Sequence, residues 1–184
     1  MRHLKKAPLF LGAALLALSS ASMTRACGFH DDVSIARGFL NWAYPDALHV
    51  IGAISAATAA QRLTHREIPA TDPFGLQYRA TVKGLEAFAK IVGAGLDEAP
   101  SLSFSLILLE PMLWTHFDAG SHGLRAQVHV TGPEPDEVVL VSGQDVIFAI
   151  ANEGLRVGEA YKLGLIRIYG SEEKIAQFLR LAGT

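Results

Sequence analysis

Residues 142–170 read SGQDVIFAIANEGLRVGEAYKLGLIRIYG, and the order of elements they spell decides the fold. Ser142 stands three residues ahead of Asp145, a weaker form of the capping box, and opens a helix over Val146, Ile147 and Ile150. Gly154 stops that helix, and a short one over Val157–Leu163 ends at Gly164. Leu165–Tyr169 then reads as a strand. Ser171 caps a last helix with Glu172 and Glu173 in its first turn, where the helix dipole favours acids. Ile175, Phe178, Leu179 and Ala182 fall on one stripe of it, the side expected to be buried.

Working toward the N-terminus, four more strands are expected. Leu102, Phe104, Leu106 and Leu108 alternate with Ser101, Ser103, Ser105 and Ile107, and a period of two sends each set to its own face. The serine side is expected near water and the Leu/Phe side under an apolar cover. Pro111 bends the chain, and Met112–Phe117 forms the second strand. Gly120 and Gly123 bracket a turn, after which Leu124, Ala126, Val128 and Val130 alternate with Arg125, Gln127 and His129. The two prolines of residues 132–136 remove ladder donors and make a loop; Val138–Val141 is the fourth strand.

Further upstream the pattern turns helical. From Leu76 to Leu96, Val82, Leu85, Ala89, Val92 and Leu96 lie on one stripe, with Lys83, Glu86 and Lys90 off it. A turn at residues 71–75 precedes it. Pro45 beside Asp46 is a helix start, and the helix it opens carries Leu48, Ile51 and Ile54 toward Leu63. Residues 27–44 read as irregular. Arg2, Lys5 and Lys6, then the apolar run Leu9–Leu18, then small residues, form the pattern of a secretory leader ending near Ala26. The expected organisation is therefore a leader over residues 1–26, an N-terminal helical extension over 27–75, and a strand-rich domain over 76–184.

Charge excludes some classes of function. The chain holds 16 Lys/Arg and 18 Asp/Glu among 184 residues. Removing the leader takes four basic residues and no acids, leaving 12 against 18, a net −6. Such a chain, with no basic cluster, has no electrostatic footprint for nucleic acid and no segment to hold anionic lipid. His49, Thr58, Gln61 and Arg62 argue against a membrane span in the extension. The single cysteine, Cys27, permits no internal disulfide, and its place after the leader raises lipid attachment. The expected location is periplasmic or secreted.

Four strands, a capped helix ending in Asn152-Glu153-Gly154, a small helix with Glu159-Ala160 ending at Leu163-Gly164, a strand and a terminal helix: this order resembles the sterol carrier protein type of lipid-binding domain. The resemblance covers about Leu85 to Ala182. It implies an α+β fold, a five-stranded, mainly antiparallel sheet covered by helices, with a tunnel between sheet and helices for an apolar molecule and no catalytic residue. Phe104, Leu106, Leu108, Trp114, Val128, Val139, Ile147, Tyr161 and Phe178 are the candidates to line such a tunnel, although spacing alone reports burial rather than a cavity.

Reactive groups form no strong constellation. Cys27 and His30, with Asp31 and Asp32 following, fall short of the four ligands a structural zinc needs, and the reading calls for no metal and no cofactor. Asp46 and His49 are spaced as an i,i+3 pair. His116, next to Trp114 on one strand face, stands beside the candidate pocket; His122 and His129 fall on the turn and strand beyond. Gly120-Ser121-His122-Gly123 only imitates a nucleophile elbow, lacking the second spacer residue. The expected function is an exported, non-catalytic binding protein for a lipid or other apolar small molecule. The alternative is an accessory protein that uses the domain as scaffold and docks a protein partner through residues 27–70, where Trp42 and Tyr44 lie.

Overall fold

The computed structural model describes residues 34–67, 72–94, 103–120, 123–152 and 154–182. The leader, Cys27, His30, Asp31, Asp32, Ser121 and His122 lie outside the described residues. In chain order the elements are α1 (Ser34–Ala43), α2 (His49–Ala59), α3 (Leu76–Gly93), β1 (Phe104–Leu108), β2 (Leu113–Gly120), β3 (Gly123–Val128), β4 (Val138–Ser142), α4 (Gln144–Ala151), α5 (Val157–Lys162), β5 (Ile166–Tyr169) and α6 (Glu172–Ala182).

The five strands form one sheet in the order β3-β2-β1-β4-β5. Three of its four pairings are antiparallel; β1 and β4 run parallel, with Leu106 opposite Leu140. The α+β class and the mainly antiparallel sheet are as expected. β1 is the central strand, and its five residues are buried without exception, as are those of β4. A strand covered on both faces reads as a continuous apolar run, whereas the edge strand β3 keeps the alternation of a half-covered one.

Two apolar clusters flank the sheet. On one face Phe104, Leu106, Leu113, Phe117, Leu140 and Ile166 meet Leu85 and Phe88 of α3, Ile147 and Ile150 of α4 and Phe178 of α6. Phe104 stacks on Phe117 at 4.7 Å and 12°, and Phe178 meets Phe104 edge-on at 5.0 Å. On the other face Ile107, Leu109, Val139 and Val141 pack against Leu40 of α1 and Ala47 and Val50 at the start of α2.

This second layer corrects three expectations. Residues 27–44 are not wholly irregular, since α1 occupies Ser34–Ala43. The helix does not start at Pro45: Asp46 takes a φ of +66°, which interrupts the helical path, and α2 begins at His49. The serine side of β1 does not face water. Ser105 is fully buried, and its hydroxyl donates to Oε2 of Glu137 at 2.7 Å. Tertiary cover decided that point: once α1 and α2 close the second face, a serine there must find a protein acceptor.

A fourth correction concerns α4. Ser142 does not cap it, because the Ser142 hydroxyl donates to the Leu165 carbonyl at 2.9 Å. The Gln144 N–H at the helix start donates instead to Oε2 of Glu110, 34 residues earlier. Ser171 does act as expected at α6, accepting from the Lys174 N–H at 3.4 Å. The Asp46–His49 pair also forms, at 3.6 Å on the surface.

Candidate functional site

The β1–β2 turn carries Leu109 and Glu110 out from under the sheet toward α2, and a cleft of about 490 Å3 opens between them. Its apolar wall is Ile51, Ile54 and Ala59 of α2 with Leu109; Ser55 and Thr58 are interspersed on the same helix. Its polar lining comes from four remote points of the chain: Arg37 on α1, His65 after α2, Glu110 on the turn and Asp145 in the first turn of α4. The volume falls in the range of small-molecule sites, roughly 300–1,000 Å3, and apolar walls with a few placed polar groups are their usual make-up.

Each polar group has a definite post. Nε of Arg37 donates to the Leu109 carbonyl at 2.8 Å, and Nη2 donates to the Glu110 carbonyl, so the guanidinium ties α1 to the turn. Asp145 is buried, and its carboxylate accepts from the Arg66 N–H at 3.1 Å and lies 2.9 Å from Nδ1 of the exposed His65. Glu110 takes the Gln144 N–H. Burial pushes the Glu110 carboxyl above its ordinary range, and the neighbouring charge of Asp145 adds to the rise. The Gln144 N–H, its own backbone N–H and Arg37 pull the other way.

The close approach of α4 to this corner needs Gly143. A Cβ there would lie 2.5 Å from Oε1 of Glu110 and 2.5 Å from Cδ1 of Ile54, both of which line the cleft. Glycine leaves room for the turn's carboxylate to reach the helix start.

The nine residues expected to line a tunnel are distributed over both faces. Phe104, Leu106, Leu108, Ile147 and Phe178 are buried in the main cluster, with Val128 partly buried at its margin. Val139 is buried on the opposite face, where Trp114 packs beside it and Tyr44 meets the Trp114 ring at 6.1 Å. Tyr161 on α5 is exposed. None of the nine lines the cleft under α2, nor a second cleft of about 590 Å3 between α3 and the β2–β3 hairpin, which is lined by charged groups including Glu86, Lys90, Asp118 and Arg125. His116 lies with its Nδ1 3.1 Å from Oε1 of the buried Glu137, near in distance but not aligned as a hydrogen bond.

Sequence reasoning missed the cleft because Arg37, His65, Glu110 and Asp145 share no spacing. Asp145 read as part of a cap, and Glu110, just ahead of the bend at Pro111, was given no role. Only an acid preceding Pro111 at the end of an apolar strand hinted that a charge was being held at the core margin. Among the described residues, no group of three His, Cys, Asp or Glu is placed to hold a metal ion, and no helix is long and apolar enough to cross a membrane.

No family model matches the chain, and no curated protein does. Solved structures similar to it include Sterol Carrier Protein 2 Like 2 from Aedes aegypti, 24% identical, matching 56% of this chain and 98% of that one with a TM-score of 0.43. The stereoselective inverting sec-alkylsulfatase Pisa1 from Pseudomonas sp. is also similar, at 16% identity over 52% of this chain with a TM-score of 0.36. A double mutant of that sulfatase matches 47% of this chain at 17% identity and a TM-score of 0.36. This chain spans only 14% and 13% of the two sulfatase chains. All three TM-scores lie below 0.5, and the chemistry of the cleft stands on its own residues.

Proposed function

We propose that this protein is a non-catalytic binding protein for a lipid or other apolar small molecule, held in the cleft beneath α2. The cleft itself carries the reading: about 490 Å3, with its apolar wall on one side and its charged groups gathered at the other. Removing roughly 25 cal/mol per Å2 of apolar ligand surface from water supplies the binding free energy, less the cost of immobilising the guest. No cofactor enters, and the reading assigns no residue a catalytic step. The leader-like pattern of residues 1–26 supports export, to a periplasmic or secreted location.

The test is binding of a panel of alkyl and polycyclic apolar molecules to the full chain, followed calorimetrically, with Ser55→Trp as the blocked form. Ser55 is exposed on α2 and lines the cleft, so the indole fills the space without disturbing the core. Binding to the parent and its loss in Ser55→Trp is the expected result. A panel that the parent ignores, or binding that Ser55→Trp leaves intact, overturns the proposal.

A second reading, a scaffold that docks a protein partner through residues 27–70, is favoured by one observation. Phe39 and Trp42, three residues apart on α1, are 69% and 87% exposed while Leu40 between them is buried. Replacing both by Ser separates the readings: complex formation is lost on the scaffold view, and ligand binding is kept.

A further inference from the structure

We propose that α1 docks the protein on a zwitterionic lipid surface, seating Phe39 and Trp42 among the head groups. This contact is independent of the cleft, and it gives the two exposed rings a membrane as partner in place of a protein.

The helix is apolar on two sides. Leu40 points inward, 5% exposed, in the cluster with Ala47, Val50, Ile107 and Val141. Phe39 and Trp42, one turn apart on the outward side, are 69% and 87% exposed. Gly38 and Ala43 beside them are exposed as well, so from Arg37 to the end of α1 every exposed residue is uncharged. Arg37, the one basic residue of the helix, is bonded to the carbonyls of Leu109 and Glu110. A helix whose free face meets only water carries charged or polar groups there. The free face of α1 offers two rings.

Area and charge choose the occupant. Each ring offers at most about 150–250 Å2, and toward α2 the patch ends at the exposed Asp46–His49 pair. Two rings fall well short of the roughly 800 Å2 that each partner gives to a stable protein interface. A bilayer asks for no complementary surface: Phe and Trp settle at head-group depth, where the indole N–H stays hydrated. Without the leader-like residues 1–26 the chain holds 12 basic against 18 acidic residues, net −6, so an anionic surface is disfavoured and a zwitterionic one is not. The sequence ahead of the helix points to a membrane too. α1 opens at Ser34, close behind residues 1–26, whose basic start and apolar run Leu9–Leu18 are the pattern of a segment handed to a membrane.

The test is tryptophan fluorescence of the full chain mixed with phosphatidylcholine vesicles, with and without lipid brominated on its acyl chains, which quenches an indole only from within the bilayer. The chain has two tryptophans, so Trp114→Phe leaves Trp42 as the sole reporter and Trp42→Phe leaves Trp114. In Trp114→Phe the emission is expected to shift to shorter wavelength on vesicles and to be quenched by brominated lipid, and added salt should leave both effects unchanged. Adding Phe39→Ser should raise the lipid concentration for half-quenching about tenfold or more. Trp114, packed against Tyr44 at 6.1 Å, should stay unquenched in Trp42→Phe. Emission from Trp42 that vesicles leave unmoved returns the rings to a protein partner and overturns the proposal. So does quenching that Phe39→Ser leaves intact, or that salt abolishes, which would assign the contact to the rest of the chain or to charge. Equal quenching of Trp114, the mark of a chain unfolded on the vesicle, or a shift of Trp42 that follows protein concentration without lipid, the mark of a second copy on this face, also overturns it.

Discussion

Replacing Phe104 by alanine probes whether the main interior is solid. The ring is fully buried, stacked on Phe117 at 4.7 Å and met edge-on by Phe178 at 5.0 Å and by Phe88 at 6.5 Å. A buried aromatic side chain removes about 150–250 Å2 from water, which at ~25 cal/mol per Å2 corresponds to about 4–6 kcal/mol. Alanine retains a small part of that, and partial collapse recovers more, so Phe→Ala changes in cores settle at about 3–5 kcal/mol. Each lost ring pair adds about 0.5–1.5 kcal/mol, which places the expected loss near the top of that range. Against a total stability of about 5–15 kcal/mol, the variant stands close to unfolding. Urea denaturation of both proteins reads the effect as a lower midpoint at unchanged slope. A loss under about 1.5 kcal/mol would refute the reasoning, because it would mean that Phe104 faces vacant space. The tunnel between sheet and helices would then return as the place for a guest, and the cleft under α2 would lose its claim.

Three further outcomes are expected. Thr115 is fully buried in β2 with its hydroxyl oxygen unpartnered, so Thr115→Val, of equal shape, should raise stability by about 1 kcal/mol; a loss of that size would reveal a hidden partner for the hydroxyl. Asp72 accepts the N–H groups of Leu76 and Tyr78 at the start of α3, and the Tyr78 bond leads the causes that hold its carboxyl below the ordinary range. Its stabilising effect is therefore present above the unfolded carboxyl value and is lost as pH falls through the lowered folded value. Melting temperature followed from about pH 5 down to about pH 2 should fall less steeply in Asp72→Asn, and an identical acid limb would count against the cap. Glu110 has the opposite sign: with its folded value raised by burial, protonation favours the folded state, and stability declines as pH rises from the ordinary carboxyl value through the raised one. Glu110→Gln should flatten that decline, and calorimetric melting across the window would show it; an unchanged slope would place the charge elsewhere.

How much of this was legible in the chain can be argued from particular residues. Strand and helix periods, with glycines 154, 164 and 123 as punctuation, were enough to order the elements from Leu76 to Ala182 and to name Phe104, Leu106, Ile147 and Phe178 as interior. A period of two or of 3.6 reports local geometry, which each segment carries by itself. The same logic misread Ser142, because a hydroxyl at a helix start has several acceptors within reach and only the packed structure chooses Leu165 over the backbone ahead. It misread α1 too, where outward Phe39 and Trp42 blur the apolar stripe that would have announced a helix.

By itself the sequence determined the α+β class, the order of the elements from Leu76 to Ala182 and the absence of a charge pattern suited to nucleic acid. The tertiary structure alone decided that α1 and α2 close the second face of the sheet, that Glu110 and not Ser142 satisfies the start of α4, and that Arg37, His65 and Asp145 join Glu110 around one cleft. Periodicity is written in neighbours a few positions apart, whereas a site assembled from residues 72 and 80 positions apart exists only once the chain has packed.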